Sequence, residues 1–242
     1  MSGLGLAAAI RTLSRFPVPG GTGSEGRSLY WFPVVGLCYG LSYSLIALLP
    51  LPPAVCASLV LAFAAWATRG FHYDGLMDTA DGFGGGWTPE RRLEIMKDSH
   101  VGSFGVLALA VVLLVQFSTL TEVLKGEFRF PILTAVPMVS RTMQVLACVV
   151  LPYARKEGTA GRLVWEAKVR HLLFVFALDA LFLYIFRSYV FLVWTFLVTL
   201  GFSLLLCLDS WRHIRGVTGD VLGSIEVLSS TCSLLCALAF AP

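Results

Sequence analysis

Seven long apolar stretches divide this chain of 242 residues and restrict the folds that it can adopt. Hydrophobic residues make up 57% of the chain, and the mean hydropathy of +0.78 is too high for a water-soluble domain. The stretches predicted to cross a membrane are Tyr30–Leu49, Ala54–Thr68, Phe104–Leu120, Phe130–Leu151, His171–Phe186, Tyr189–Leu208 and Glu226–Ala241. The sequence therefore predicts an all-α, polytopic integral membrane protein with about seven transmembrane helices, folded as a single domain over residues 1–242.

The distribution of basic residues predicts the orientation of the chain. With a cytoplasmic N-terminus, the inner segments hold fourteen lysines and arginines. The three in outer segments are Lys125, Arg129 and Arg187. Because basic segments stay on the cytoplasmic side, residues 69–105, 152–170 and 209–225 are predicted to meet on the cytoplasmic face. We expect a multi-pass protein of a bacterial inner membrane, with its active site facing the cytoplasm.

The N-terminal segment 1–28 is predicted to lie at the membrane interface. Gly3–Phe16 has apolar residues on one face of a helix and arginines near another, as interfacial helices do. Pro17 and Pro19 would end this helix, and Gly20–Ser28 would form a flexible polar loop. No basic residue precedes the short apolar run, so we expect no cleaved signal peptide.

A polar segment at residues 69–105 carries the strongest functional signal. If its first part is helical, Asp74, Asp78 and Asp81 share one face at the spacing i, i+4 and i+7. Such carboxylates repel one another unless a cation holds them ionised. Mg²⁺ is the expected ion, because one or two carboxylates commonly hold it while substrate phosphate completes the coordination. The alternative to a metal site is a solvated acidic helix end. We also expect the second apolar helix, Ala54–Thr68, to continue into this polar segment.

Glycines follow the acidic face. Gly82–Gly86, interrupted only by a phenylalanine, is predicted to bring backbone N–H groups close to an anion. The chain has no GxxxxGK[ST] motif, which excludes a nucleoside-triphosphate P-loop. Thr88-Pro89-Glu90 then predicts the start of a helix that ends near Asp98, itself a candidate site residue.

Charged residues elsewhere are also candidates. Arg141 falls within an apolar stretch, where an unpaired charge is unfavourable, so a charge there indicates a function. Its planar guanidinium is suited to bind a phosphate. Arg155 lies in a basic, glycine-containing segment that could serve topology alone. Asp220 follows a glycine in the last predicted loop, which we interpret as part of the site.

The sequence of His72–Gly86, followed by Arg91–Leu109, resembles the signature of the adenosylcobinamide-GDP ribazoletransferases, the membrane-bound cobalamin synthases that close the nucleotide loop of vitamin B12. Leu13–Pro19, Ser140–Gly161 and Arg215–Leu228 extend the resemblance over nearly the whole chain. Departures from the family pattern occur at Tyr73, Met77, His100 and Val217. The resemblance implies that adenosylcobinamide-GDP and α-ribazole 5′-phosphate give adenosylcobalamin 5′-phosphate and GMP, with Mg²⁺.

For this reaction we hypothesise the following roles for individual residues. The predicted metal ligands are Asp74, Asp78, Asp81 and Asp98. The predicted catalytic residues are Asp78, Asp81 as a metal ligand or general base, and Arg141 on a phosphate. The predicted substrate contacts are His72, Gly84, Gly85, Arg155 and Asp220. Asp98 and Asp220 are expected either to bind a second metal ion or to contact the ligands of the first ion.

Three other classes of membrane protein share some of these features. A CDP-alcohol phosphotransferase has a similar arrangement of aspartates, but this chain lacks the Ala-Arg pair that follows DGxx there. A UbiA-like prenyltransferase should show a second acidic cluster. A transporter should show an internal repeat and polar residues at mid-membrane.

The expected partners are the two small-molecule substrates and the lipid bilayer, and the sequence leaves a homo-oligomer open. Charged residues make up only 14% of the chain, with a net charge of +3, which excludes the basic surface of a nucleic-acid binder. All six cysteines fall within apolar stretches and are expected to pack as small hydrophobic residues.

Overall fold

The computed structural model describes residues 3–18, 25–186 and 189–241. Within these ranges the chain forms eleven α-helices and one 3₁₀ helix but no β-strand, which confirms the all-α prediction. The helices are α1 (Gly3–Leu13), the 3₁₀ helix (Glu25–Trp31), α2 (Phe32–Ile46), α3 (Pro53–Ala67), α4 (Phe71–Gly85), α5 (Pro89–Ile95), α6 (Ser103–Lys125), α7 (Arg129–Val150), α8 (Gly161–Glu166), α9 (Val169–Ile185), α10 (Val190–Ile214) and α11 (Gly219–Phe240). Pro19, most of the predicted polar loop and Arg187 lie outside the described residues.

Several of these helices are suited to cross a membrane. In the described ranges, five helical segments are long and apolar enough to do so, namely Glu25–Ile46, α6, α7, α10 and α11. The pair α3 and α4 would raise the number to six. α9 has 17 residues, which is at the lower limit of the roughly 17–25 residues that cross a bilayer. The protein is therefore a multi-pass membrane protein, and the count of seven spans stays a prediction.

The junction between α3 and α4 differs from the expected continuous helix. Arg69 and Gly70 both have left-handed backbone conformations, with φ of 57° and 73°. Because such residues do not continue a right-handed helix, α4 leaves α3 at an angle of 85°. The aspartates therefore lie on a separate helix that packs against α6 and α11, and the expectation that the second span continues into them is wrong.

α7 lies at the centre of the bundle, since 94% of its most apolar 18-residue stretch is buried. It packs closely on α2, because Gly36 and Gly40 leave no side chain between the two backbones. A Cβ atom at Gly40 would lie 2.6 Å from the carbonyl oxygen of Leu133. Pro137, inside α7, cannot donate to that carbonyl. Small residues four apart are a common means of close helix packing in membranes.

The last predicted loop is much shorter than expected. α10 continues to Ile214 and α11 begins at Gly219, so that only a four-residue turn joins them. Thr218 caps α11, since its hydroxyl accepts a hydrogen bond from the N–H of Val221 at 3.3 Å. Asp220 consequently lies in the first turn of α11, where a carboxylate is favoured by the helix dipole.

Candidate active site

Three carboxylates from two helices interact at one end of the bundle. Asp74 and Asp78 lie one turn apart on α4, whose predicted helical conformation is confirmed. Burial, and then the negative charges of Asp220 and Asp74, raise the pKa of Asp78 to about 7. The guanidinium of Arg155 partly opposes this shift. Asp78 is thus close enough to both other carboxylates to be affected by their charge, and a cation would relieve the repulsion.

Gly75 lets α4 and α11 approach each other at this point. A Cβ atom at Gly75 would lie 2.5 Å from the carbonyl oxygen of Asp220 and 2.9 Å from its Cα. One turn further along α11, a Cβ at Gly223 would lie 3.1 Å from the Cα of His72. The absence of these two side chains therefore sets how close the carboxylates on the two helices are. Sequence reasoning missed both glycines, although Gly219 and Gly223 have the spacing typical of close helix contacts.

Arg155 is the cation of this cluster. Its guanidinium forms an ion pair with Asp220 at 2.8 Å and donates a weaker hydrogen bond to the carbonyl oxygen of Met96 at 3.4 Å. The backbone next to it is also fixed, because the N–H of Ala154 donates to the carbonyl of Val217 at 2.9 Å. The segment after α7 and the turn before α11 are therefore held together, as the predicted shared face requires.

Asp81 points to another partner. It is buried, and its two carboxylate oxygens accept hydrogen bonds from the N–H groups of Gly102, at 2.7 Å, and Gly105, at 2.8 Å. These groups belong to the N-terminus of α6, whose first N–H groups have no partner within the helix. The geometry therefore supports a capping function for Asp81 and gives no support to its predicted function as metal ligand or general base.

Asp98 contacts His100 and none of the other predicted site carboxylates. It is exposed, and it accepts a hydrogen bond from the N–H of His100 at 3.0 Å and pairs with the ring of the same residue at 2.7 Å. The backbone hydrogen bond from His100 is the main cause that lowers the pKa of Asp98. Its predicted function as a metal ligand gains no support from these contacts.

The glycine segment after the aspartates is mostly helical. α4 continues to Gly85, and Gly86 ends it. A Cβ atom would lie 2.5 Å from Met96 at Gly82 and 2.8 Å from the Phe104 ring at Gly84. These glycines allow α5 and α6 to pack closely on α4. The predicted substrate contacts at Gly84 and Gly85, and the predicted approach of this backbone to an anion, remain predictions.

Arg141 and His72 lie in a second, buried cluster. Arg141 is 2% exposed, and its Nη1 lies 2.9 Å from His72 Nε2 and 3.0 Å from Gln144 Oε1. The carboxylate of Glu226 is 3.7 Å from both Arg141 and His72. This cluster joins α4, α7 and α11 beside a cavity of about 60 Å³. Arg141 therefore contacts protein groups rather than the carboxylates around Asp78.

Glu226 was missed as a site residue. The sequence placed it at the first position of the last predicted span, whereas α11 begins seven residues earlier, at Gly219. It is the one carboxylate after Val221, and a single charge at that depth in an apolar helix is the signal that could have identified it.

The residues present fit a magnesium ion. In the described part of the chain, no three His, Cys, Asp or Glu side chains form a ready group of metal ligands. Mg²⁺ does not require one, because one or two carboxylates suffice when substrate phosphates and water complete the octahedron. Asp74 and Asp78 on α4, with Asp220 opposite, supply oxygen ligands of this kind.

Comparison with known proteins identifies the family. The family described as cobalamin-5-phosphate synthase matches residues 5–238. The chain belongs to the cobalamin-5-phosphate synthase family. This membership confirms the resemblance found at His72–Gly86, and no solved structure matches the chain.

Members of the cobalamin-5-phosphate synthase family share most of their length with this chain. A relative from Chlorobaculum tepidum, named adenosylcobinamide-GDP ribazoletransferase, is 41% identical over 243 residues, with 97% of this chain and 95% of the relative covered. A protein of the same name from Chlorobium chlorochromatii is 40% identical over 230 residues, covering 91% and 90%. Another from Syntrophobacter fumaroxidans is 39% identical over 233 residues, covering 93% of each.

Proposed function

We propose that this chain is an adenosylcobinamide-GDP ribazoletransferase, which carries out the nucleotide-loop assembly step of cobalamin biosynthesis. The observation that carries the proposal is the match to relatives of that name over nearly the whole chain. The reaction joins adenosylcobinamide-GDP to α-ribazole, or to its 5′-phosphate, and releases GMP. The cluster of Asp74, Asp78, Asp220 and Arg155 supports the proposal, because phosphoryl transfer needs charges that position and neutralise phosphates.

In this reaction a ribose hydroxyl of ribazole attacks the phosphorus bound to cobinamide. The new O–P bond forms as the bond from that phosphorus to the GMP oxygen breaks, and the hydroxyl proton passes to a carboxylate of the cluster. Arg155, oriented by its ion pair with Asp220, contacts the transferred phosphoryl group. Asp74 and Asp78 would hold Mg²⁺, which when bound would supply positive charge for the diphosphate and for the GMP leaving group.

We also propose that the cluster faces the cytoplasm at a bacterial inner membrane. The excess of basic residues in the predicted inner segments supports this orientation. The helical segments that are long and apolar enough to cross a membrane support a multi-pass chain. Both substrates are charged, so a water-accessible face is required for their entry.

The test is GMP release by purified protein in liposomes. Wild-type protein with both substrates and Mg²⁺ should release GMP, and EDTA or the omission of either substrate should stop it. Asp78→Asn should reduce the rate at least about 100-fold, which is the range for loss of a group that stabilises transition-state charge. Glu122→Gln, at an exposed ion pair on the opposite end of α6, should retain the wild-type rate. Folded wild-type protein that releases no GMP would contradict the proposal.

A further inference from the structure

Arg69 has a backbone conformation that is unfavourable for its residue type. Its φ of 57° lies in the left-handed region, which is unfavourable for side chains with a Cβ atom and is often found at functional positions. The side chain is exposed and donates only a long hydrogen bond, 3.5 Å, to the carbonyl of Arg15. None of the carboxylates in the described ranges forms an ion pair with it. The guanidinium lies 5.9 Å from the centre of the Phe71 ring. An exposed guanidinium on an unfavourable backbone, without a carboxylate partner, is available to an anion.

Two hollows of the surface meet at Arg69. The first is basic and includes Arg11 and Arg69 beside Phe16. The second is an apolar groove of about 1110 Å³ between α3, α4 and α6, slightly above the roughly 300–1,000 Å³ common for small-molecule sites. Its walls include Ala65, Phe71, Met77, Ala110 and Leu113. A molecule with an apolar body and an anionic end would match this pair of surfaces.

The groove also reaches the acidic cluster. Asp74 lines it together with Arg69, and Asp74 lies one helical turn before Asp78 on α4. A bound molecule would therefore have its apolar part among the side chains of α3 and α6, its anion at Arg69, and its middle beside Asp74. This arrangement favours a reactant over a membrane lipid, because a lipid needs the apolar wall and the cation but has no use for the carboxylate.

We propose that this groove binds the ribazole substrate, with its flat aromatic base between α3 and α6 and its 5′-phosphate at Arg69. The ribose connects base and phosphate, so this placement brings its hydroxyls to Asp74. The inference rests on the proposed function and adds to it a separate binding place for the nucleoside. The corrinoid substrate then approaches from the side of Arg155 and Asp220.

The experiment measures both binding and turnover. Arg69→Gln should raise the KM for α-ribazole 5′-phosphate about 10-fold to 100-fold, as expected for loss of a charge-assisted hydrogen bond. The KM for unphosphorylated α-ribazole and that for adenosylcobinamide-GDP should not change. Ala110→Phe, which fills the groove, should raise the KM for both forms of ribazole. Val106→Phe, on the same helix but outside the groove lining, is the matched control and should leave all three values unchanged.

Equilibrium binding of α-ribazole 5′-phosphate in EDTA, without the second substrate, gives a readout that does not depend on catalysis. Weaker binding by Arg69→Gln and Ala110→Phe, but not by Val106→Phe, supports the inference. Unchanged binding, or an equal rise in KM for both substrates, overturns it. Loss of co-purified phospholipid from Ala110→Phe without any change in ribazole binding would identify a lipid site and also overturn it. Wild-type protein that binds ribazole 5′-phosphate at the groove but releases no GMP would contradict the proposed function alone.

Discussion

The charge of Asp78 is unfavourable in the folded protein. Burial is the largest cause, followed by Asp220 and Asp74, and together they raise its pKa from 3.8 to about 7. Between these two values the unfolded chain has released the proton while the folded chain still holds it. The free energy of unfolding therefore falls as the pH rises from about 4 to about 7. A site built for a cation has this property, because binding of the ion reverses the penalty.

Asp78→Asn should therefore stabilise the protein in EDTA at pH 8. We expect a gain of about 1–2 kcal/mol, reduced from the full pKa shift because solvent screens a half-exposed carboxylate. The gain should be much smaller near pH 4, where Asp78 keeps its proton in the folded protein and about half of the unfolded chains keep it as well. Thermal unfolding in detergent at the two pH values measures it. A gain of equal size at both pH values would show that charge is not the cause.

Glu226→Gln should destabilise the protein by about 3–5 kcal/mol, because it leaves Arg141 charged and buried without its carboxylate. Combining it with Arg141→Met should recover most of the loss, since the pair is then removed as a whole. Denaturation of the single and double variants measures the coupling. The exposed pair Glu122–Lys125 is the control, where the same change should cost at most about 0.5 kcal/mol. Additive effects of the two buried substitutions would contradict the interpretation.

The sequence predicted contacts between carboxylates only where both residues belong to one helix. Asp74 and Asp78 share a face because helical spacing alone puts them there, and the structure confirms it. Asp81 has nearly the same angular position but is bonded to the start of α6. Its partner depends on how two helices pack, which the spacing of residues on one helix does not contain. The contact between Glu226 on α11 and Arg141 on α7 also depends on helix packing, so the spacing of residues along one helix could not predict it.

At the level of helices, glycine decides the contacts that form the site. The expected continuation of α3 into α4 rested on residue preferences and was wrong. The glycines at Gly82–Gly86 were expected to bring backbone close to an anion, and in the structure they lie where helices pack against α4. A glycine permits a loop and also permits two helices to touch. The sequence of one segment does not distinguish the two, because the outcome depends on whether a neighbour such as Phe104 lies against it.

Gly75→Ala should impair the enzyme, because the new methyl group would lie 2.5 Å from the carbonyl oxygen of Asp220 and force α4 away from α11. We expect both a lower rate of GMP release and a lower unfolding temperature. Gly201→Ala is the matched control, since a Cβ atom there would meet no atom within 4 Å outside its own stretch of helix. There the better helix propensity of alanine should add up to about 1 kcal/mol of stability. Equal effects of the two substitutions would mean that the close contact is unimportant.

For the whole molecule, the all-α class followed from hydropathy, which depends on composition over long stretches. The number of spans did not follow, because the length of α9 and the bend before α4 leave it open. The predicted orientation can be tested separately from that number, since it concerns only which ends of α6 and α7 share a side.

Cysteines introduced at Lys156 and at Glu127 should lie on opposite sides of the membrane. Both positions are exposed, Lys156 after α7 and Glu127 between α6 and α7. In intact cells stripped of their outer membrane, an impermeant maleimide should label Glu127→Cys, whereas Lys156→Cys should need permeabilised membranes. The unmodified chain, whose six cysteines are free thiols, gives the background. The reverse pattern would show that the acidic cluster faces outward.

The ion pair between Arg141 and Glu226 affects how the protein is made. α7 is surrounded by other helices, and its arginine is translated well before the carboxylate on α11, the last helix. During synthesis Arg141 is therefore without its carboxylate partner, at the translocon or in the bilayer, until the ribosome has made α11. An unpaired charge is unfavourable in either place. A chain that ends before α11 keeps an unpaired charge in its interior and exposes itself to membrane proteases. Arrival of the C-terminal helix thus completes the assembly.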